Sequence, residues 1–262
     1  MTESLGAELT VPERFRGPAR SGNGGWTAGS LAERLLASAD RPGNHGTVEV
    51  TLRQPPPLDT PMVVEHLDGQ DGPLTVLAFE GARVAEARRV GSGPTPVDRV
   101  DPSTAEAAMR SYPGLRSHPF PGCFACGPDR AEGDGLRIFP GPVGPDTVAS
   151  CWLPHHSLTE SGDAVDACDR GPERVGTGTT WAALDCVGGW SADLVGRPMV
   201  LGRMTARVDV LPVVGEPHVV VGRRLRADGR KTFTASTLYD ADGLVAGTAE
   251  HVWIAVDPTT FR

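Results

Sequence analysis

The chain has 262 residues, enough for one large domain or two smaller ones with sizeable hydrophobic cores. Its 33 glycines, 24 prolines and 5% aromatic residues favour many short strands and turns over a helical bundle. A net charge of −8 without a basic cluster argues against a nucleic-acid partner, and no apolar run is long enough for membrane insertion. The odd count of five cysteines fits a reduced protein, so we expect a cytoplasmic location.

The first half begins with a glycine-rich approach to a helix, which is predicted from about Trp26 to Ala39. Asn23 has glycines on both sides and is the candidate turn residue at the helix N-terminus. Free backbone N–H groups and the positive end of the helix dipole can hold an oxygen anion at such a position. Strands that form an antiparallel meander are predicted next, over residues 48–52, 62–65, 74–80 and 83–90.

The middle of the chain differs from the regions on either side in amino-acid composition. Residues 91–122 are rich in proline and predict a linker, within which Ser103 to Glu106 has the pattern that caps a short helix. The second predicted helix follows this linker and an irregular polar stretch. The strands expected in this half are residues 136–139, 147–152, 200–210, 218–225, 231–239 and 244–255.

The segment from Gly176 to Ser191 predicts a buried helix with one carboxylate in its middle. Apolar side chains recur at helical spacing at Trp181, Leu184 and Val187. Asp185 lies about two turns into the helix, among these apolar groups. An acid at that depth is costly to ionise unless it has a partner. Asp185 is therefore a candidate catalytic residue. The structural alternative is that it lies at the solvent-exposed edge of a core helix.

The two halves of the chain repeat. Each half has a loop-to-helix junction followed by a strand meander, and Trp181 follows Trp26 by about 155 residues. Similar spacing relates the first strands after each helix, Glu49–Leu52 and Thr205–Val208. We interpret the chain as a tandem duplication, with repeats at 10–92 and 123–258 joined by a linker at 93–122. Two such copies can pair their sheet edges and place both helices on one concave face.

Three features of the second half resemble the hotdog-fold thioesterases, in particular the PaaI-like branch. Cys123-Phe-Ala-Cys-Gly-Pro-Asp, followed by Gly135-Leu-Arg-Ile-Phe, is similar to the opening strand of that branch. Gly178 stands where the family has the second glycine of a His-Gly-Gly turn, and Asp185 stands at its catalytic acid. The resemblance implies an α+β double hotdog, with two central helices wrapped by one long continuous antiparallel sheet.

The departures from the family pattern are complementary. The second repeat has Gly176 and Thr177 in place of the histidine and the first glycine, but it keeps Asp185. The first repeat keeps a turn, Asn23-Gly24-Gly25, but has Ala32 at the position of the acid. In related homodimers the turn and the acid of one site come from opposite protomers. The resemblance therefore predicts one composite site, with Asn23 to Gly25 facing Asp185, and a second position without catalytic groups.

Thioester hydrolysis needs a carboxylate that attacks or activates water, and donors for the developing oxyanion. We assign Asp185, Asn23 and Gly25 to catalysis, with the Gly25 or Trp26 amide as oxyanion donor. The expected substrate-binding residues are Gly24, Trp26, Thr180, Trp181 and Thr205. Thr205 resembles the Ser/Thr position that assists the acid in this fold. Several of these residues also have a purely structural alternative. The tryptophans can pack in the core, Thr205 can be an ordinary strand residue, and Asn23 can simply form the turn.

Cys123 and Cys126 have the spacing of a metal-binding pair, and His118, His155 or His156 could complete such a site. The other three cysteines lack that spacing, so we expect two half-buried thiols at a strand start rather than a metal site. No cofactor is implied. The leading functional hypothesis is a thioesterase acting on acyl-CoA or a related acyl thioester, with a homodimer of double hotdogs as a candidate assembly. The alternative is a non-catalytic acyl-thioester binding protein with a degenerate hotdog site; a hotdog hydratase lacks its motif here.

Overall fold

The computed structural model describes residues 7–38, 46–69, 72–159 and 171–257. Its helices are α1 (Gly24–Ala37), α2 (Pro102–Met109) and α3 (Thr177–Trp190). The strands before α3 are β1 (Glu8–Leu9), β2 (Thr47–Leu52), β3 (Met62–Gly69), β4 (Gly72–Phe79), β5 (Ala82–Val90), β6 (Gly141–Gly144) and β7 (Thr147–Trp152). Those after α3 are β8 (Met199–Val208), β9 (His218–Asp228), β10 (Lys231–Tyr239) and β11 (Val245–Ala255).

All the named strands belong to one antiparallel sheet of 11 strands, in the order β1-β3-β4-β5-β2-β8-β11-β10-β9-β7-β6. The β2–β8 pair joins the two halves, and the strand order on one side of this seam mirrors the order on the other. Glu49 and Thr205, which occupy matching positions in the two repeats, lie directly opposite each other across the seam. The two copies are therefore related by an approximate twofold axis that passes between these residues.

The two long helices lie side by side against the sheet. Helix α1 contacts β2, β4, β5 and β8, while α3 contacts β7 to β11. Gly25 and Gly29 let the helices approach closely, since an added Cβ at 29 would lie 2.7 Å from Cβ of Trp181. Helix α3 is buried along almost its whole length, as its apolar sequence predicts. The expected fold class, two central helices wrapped by one long antiparallel sheet, is confirmed.

Helix α1 begins at Gly24 because Asn23 has an extended backbone and caps the helix, accepting a hydrogen bond from the Trp26 N–H at 2.8 Å. The corresponding cap of α3 is Gly176. When the two caps are aligned, Gly25 is equivalent to Gly178, so Trp26 and Trp181 do not occupy equivalent positions. The alignment of the two tryptophans was wrong because each is merely the first aromatic residue in its helix.

The opening strand predicted at residues 136–139 is also wrong. These residues form no strand; β6 and β7 follow them at Gly141–Gly144 and Thr147–Trp152. Instead, the Leu136 and Ile138 N–H groups donate to the carbonyls of Phe124 and Ala125 at 2.8 and 3.0 Å. Arg137 has a φ of 54°, which an ordinary strand does not allow. The apolar alternation of this segment therefore buries Leu136 and Ile138 against the Cys123–Cys126 turn rather than building a strand.

The proline-rich region between the repeats carries the short helix predicted there, α2, which packs against β6 and β7. Gly141 makes this packing possible, because a Cβ at that position would overlap the Ala108 carbonyl. None of the helices in the described residues is both long and apolar enough to cross a membrane.

Candidate active site

The N-terminus of α1 meets the middle of α3. The Gly25 N–H donates a hydrogen bond to Oδ2 of Asp185 at 2.9 Å. Asp185 is only 2% exposed, and its other oxygen, Oδ1, is buried without a hydrogen-bond partner among the described residues. The structure thus brings together the turn of one repeat and the acid of the other.

The carboxyl group of Asp185 is perturbed by its surroundings. Burial raises the pKa of Asp185 to about 8, and the Gly25 N–H and the Asn23 amide offset part of that rise. A carboxyl group with a pKa near neutrality, one bound oxygen and one free oxygen is suited to proton transfer. Buried side-chain oxygens usually have a hydrogen-bond partner, so the unpartnered Oδ1 of Asp185 is an exception.

The hydrogen bonds at the start of α1 decide which amides remain available for a ligand. The Trp26 N–H donates to the Asn23 side chain, the Thr27 N–H donates to the Asn23 carbonyl, and the Gly25 N–H donates to Asp185. No described residue accepts a hydrogen bond from the Gly24 N–H. Gly24 is therefore better placed to bind an oxyanion than Gly25 or Trp26, the donors expected from the sequence.

A cavity of about 270 Å³ opens beside these groups, and Asn23, Gly24 and Asp185 lie on its wall. Both repeats contribute to the lining. Most of the remaining wall is apolar, and it includes Leu52, Pro56, Phe120, Trp190, Leu201 and Trp253. Apolar walls of this kind strengthen the electrostatic effect of the few polar groups that face the cavity.

Sequence reasoning missed a sulfur cluster on the same wall. Cys186 follows Asp185 on α3, and its Sγ lies 3.7 Å from the Sγ of Cys123. Cys126 completes a group of three buried sulfurs that lie within 4.8 Å of one another. Cys123 and Cys126 are each only 3% exposed, so the expectation of half-buried thiols was wrong. The available signal was the position of Cys186 one residue after Asp185 and one helical turn before Trp190.

The thiols of the cluster differ in their acidity. Hydrogen bonds from the Cys126 and Cys186 thiols hold the pKa of Cys123 well below its usual value. The His118 ring lies at the edge of the cluster, where Nε2 is 3.4 Å from Cys126 Sγ. Its Nδ1 accepts a hydrogen bond from the Phe120 N–H at 2.9 Å, which places the proton of the neutral ring on Nε2.

The symmetry-related position in the other half lacks these groups. Ala32 stands where α3 has Asp185 and is fully buried. Glu33, one residue further on, accepts a hydrogen bond from the Thr177 hydroxyl at 3.1 Å on the exposed surface. The two halves of the chain are therefore chemically unequal, although they share one fold.

Four of the residues assigned to substrate binding do not line the main cavity. Trp26 stacks on Phe15 with ring centroids 4.3 Å apart, and the Thr180 hydroxyl donates to the Gly176 carbonyl. Trp181 faces a separate cavity of about 160 Å³, near Thr177. Thr205 alternates with the buried residues of β8 and lies on the face of the sheet away from the helices. A substrate-binding role for these four residues stays a prediction.

No protein-family model and no curated protein sequence matches the chain. Solved structures do match it along nearly its whole length. A protein of unknown function with a hot dog fold from Alicyclobacillus acidocaldarius has a TM-score of 0.59 and 13% identity, covering 98% of this chain and 96% of the other. The tesB protein of Mycobacterium avium subsp. paratuberculosis has a TM-score of 0.55 and 14% identity, covering 95% and 91%.

A candidate thioesterase II from Thermobifida fusca is similar to the same degree, with a TM-score of 0.58 and 14% identity over 95% of this chain and 92% of that one. Identities this low establish a shared fold. The resemblance to tandem hotdog proteins is therefore confirmed at the level of architecture, and this chain has the double-hotdog fold.

Proposed function

We propose that the chain is a thioesterase that hydrolyses acyl-CoA or a related acyl thioester at the junction of its two repeats. The single observation that carries the proposal is the Asp185 carboxyl group. One of its oxygens is held by the Gly25 N–H of the other repeat, and the second is buried without a partner beside an apolar cavity. The likeness to thioesterases in fold agrees with this chemistry.

The roles of the groups follow from their hydrogen bonds. The Gly25 N–H orients the Asp185 carboxylate, which leaves Oδ1 to take a proton from water or to attack the thioester carbonyl itself. The Gly24 N–H, at the positive end of α1, stabilises the negative charge that develops on the carbonyl oxygen. Asn23 shapes this turn by capping the helix. When water attacks, collapse of the tetrahedral intermediate breaks the C–S bond, and the proton that Asp185 took from water passes to the leaving thiolate, which gives a carboxylic acid and the thiol carrier. When Asp185 itself attacks, loss of the thiolate leaves a mixed anhydride on Asp185, which water then hydrolyses to the carboxylic acid and the free carboxyl group.

The size of the cavity indicates which part of the substrate it holds. Its volume of about 270 Å³ is slightly below the range for small-molecule pockets, about 300–1,000 Å³. We infer that the acyl group and the thioester lie among Trp190, Leu201 and Trp253, while the bulk of the carrier stays outside.

The test is thiol release from a panel of acyl-CoAs with wild-type protein and two matched variants. Asp185→Asn removes the ionisable group, and we expect kcat to fall by about 10²- to 10⁴-fold, the usual contribution of a general base. Glu33→Gln makes the same chemical change on α1, near the symmetry-related position that lacks the catalytic groups, and should hydrolyse like wild type. Equal activity in Asp185→Asn and wild type would remove Asp185 from the mechanism.

The alternative is a non-catalytic acyl-thioester binding protein. The raised pKa of Asp185, about 8, favours it, because a protonated carboxyl group cannot act as a base. Saturable binding of an acyl-CoA without thiol release at any pH would establish this alternative. Cytoplasmic location and a homodimer of double hotdogs remain part of the proposal, and size-exclusion chromatography with light scattering tests the second.

A further inference from the structure

We propose that Cys123, Cys126 and Cys186 bind one zinc-class divalent cation through their three sulfur atoms, on the cavity wall next to Asp185. The proposal rests on the geometry of the sulfur cluster and is independent of the thioesterase proposal. Zinc is the natural occupant because cysteine sulfur is a preferred ligand of this borderline-soft ion, which tolerates tetrahedral sites of mixed ligands.

The distances suit a tetrahedral metal. With Zn–S bonds of about 2.3 Å, two sulfurs of a tetrahedron lie about 3.8 Å apart. Cys123 Sγ and Cys186 Sγ are already 3.7 Å apart, and all three sulfurs lie within 4.8 Å of one another. Small side-chain rotations bring the third sulfur to the same spacing. A disulfide would instead require about 2.05 Å between two of the sulfurs and would leave the third unpaired.

The backbone around the cysteine pair is built to make the sulfurs converge. The Gly127 N–H donates to the Cys123 carbonyl at 2.9 Å, which closes a tight turn over Cys123-Phe-Ala-Cys126. A Cβ at residue 127 would lie 2.5 Å from both the nitrogen and the oxygen of Cys123, so the turn has room only for glycine. The third sulfur comes from α3, which is fixed against this turn by its burial.

Each sulfur also has a nearby N–H donor. The Asn23 Nδ2 lies 3.8 Å from the sulfurs of both Cys123 and Cys186, and His118 directs its Nε2–H toward Cys126. Such hydrogen bonds from outside the ligand shell are typical of metal-bound thiolates, whose charge they stabilise. Since the proton on Nε2 prevents His118 from acting as a ligand in this tautomer, we assign His118 to this outer role. All three cysteines line the cavity, from which a water molecule can supply the fourth ligand.

The experiment uses the full chain, reduced and then incubated with excess zinc before desalting, with the retained metal measured by mass spectrometry. We expect one equivalent of zinc and release of thiol protons on binding, since the ligands must be deprotonated. Cys186→Ser should weaken zinc affinity by more than about 100-fold, because even outer-shell partners are worth about 10- to 100-fold. Cys151→Ser, which alters a half-buried thiol on β7 outside the cluster, should bind zinc like wild type.

Cobalt provides a readout that does not depend on the folding of a variant. Wild-type protein loaded with Co²⁺ should show a thiolate-to-metal charge-transfer band of an intensity appropriate to three sulfur ligands, together with strong tetrahedral visible bands. No retained zinc in reduced wild-type protein, or equal zinc affinity in the Cys186→Ser and Cys151→Ser variants, would overturn the proposal. Neither result would bear on thiol release by Asp185, so the two proposals fail separately.

Discussion

Replacing Gly25 with alanine tests the contact on which the composite site depends. The added Cβ would overlap Cβ of Asp185 and would lie 2.8 Å from the Trp181 carbonyl oxygen and 3.0 Å from Cα of Ala182. Two of these three neighbours are backbone atoms of α3, which cannot rotate away. The helices must therefore separate, and the Gly25 N–H must move away from Asp185.

The magnitude follows from three contributions. Overpacking a well-packed interface costs about 1–3 kcal/mol, and leaving the buried Oδ2 of Asp185 without its donor costs about 1–3 kcal/mol. The higher helix propensity of alanine offsets at most about 1 kcal/mol of this cost. We expect a net loss of about 1–5 kcal/mol, which corresponds to a fall in Tm of about 2–20 °C at about 2–4 °C per kcal/mol.

Thermal unfolding by circular dichroism measures this loss, and Gly91→Ala is the matched control. It adds the same methyl group at a position with no atom within 4 Å of the new Cβ, so its Tm should equal that of wild type. In the thioesterase assay, displacing the carboxylate by about 1 Å should lower kcat by about 10²-fold. A Gly25→Ala protein with wild-type Tm and wild-type activity would show that the close contact of α1 with Asp185 is not needed.

Three further results are expected. His251 is buried, and burial lowers its pKa to about 4, so between about pH 6.5 and pH 4 the unfolded chain binds more protons than the folded one. The free energy of unfolding should then fall by about 3 kcal/mol as the pH falls through this window, at about 1.4 kcal/mol per pKa unit, and denaturant titrations of His251→Gln should show a weaker dependence. Gly141→Ala should lower Tm because its Cβ would overlap the Ala108 carbonyl, whereas Gly91→Ala should not. Asp185→Asn should keep the fold, as judged by circular dichroism, while it loses thiol release.

Local sequence patterns were sufficient for both long helices and most of the strands, but not for residues 136–139, which form no strand. The apolar spacing around Asp185 predicted a buried helix, and α3 spans Thr177–Trp190. The asparagine between glycines predicted a helix start, and Asn23 caps α1. The doubled pattern of strands predicted one sheet around two helices. The helix and its cap depend on interactions within a few residues, so the sequence determines them without knowledge of distant partners. The pairing of distant strands in the sheet was predicted instead from the repetition of one strand pattern in both halves.

What only the tertiary structure decided is the arrangement of groups that are far apart in the chain. Cys186 and Cys123 are 63 positions apart, and their sulfurs meet only because the rotation of α3 about its axis turns Cys186 toward the Cys123–Cys126 turn. One helical position corresponds to about 100°, so a small change in that rotation would direct the side chain elsewhere. In the same way, Trp181 packs against Gly29 of the other helix and Trp26 stacks on Phe15, and neither tryptophan lines the main cavity. Periodicity determines that a helix has a buried face, whereas packing against the rest of the fold determines which atoms that face meets.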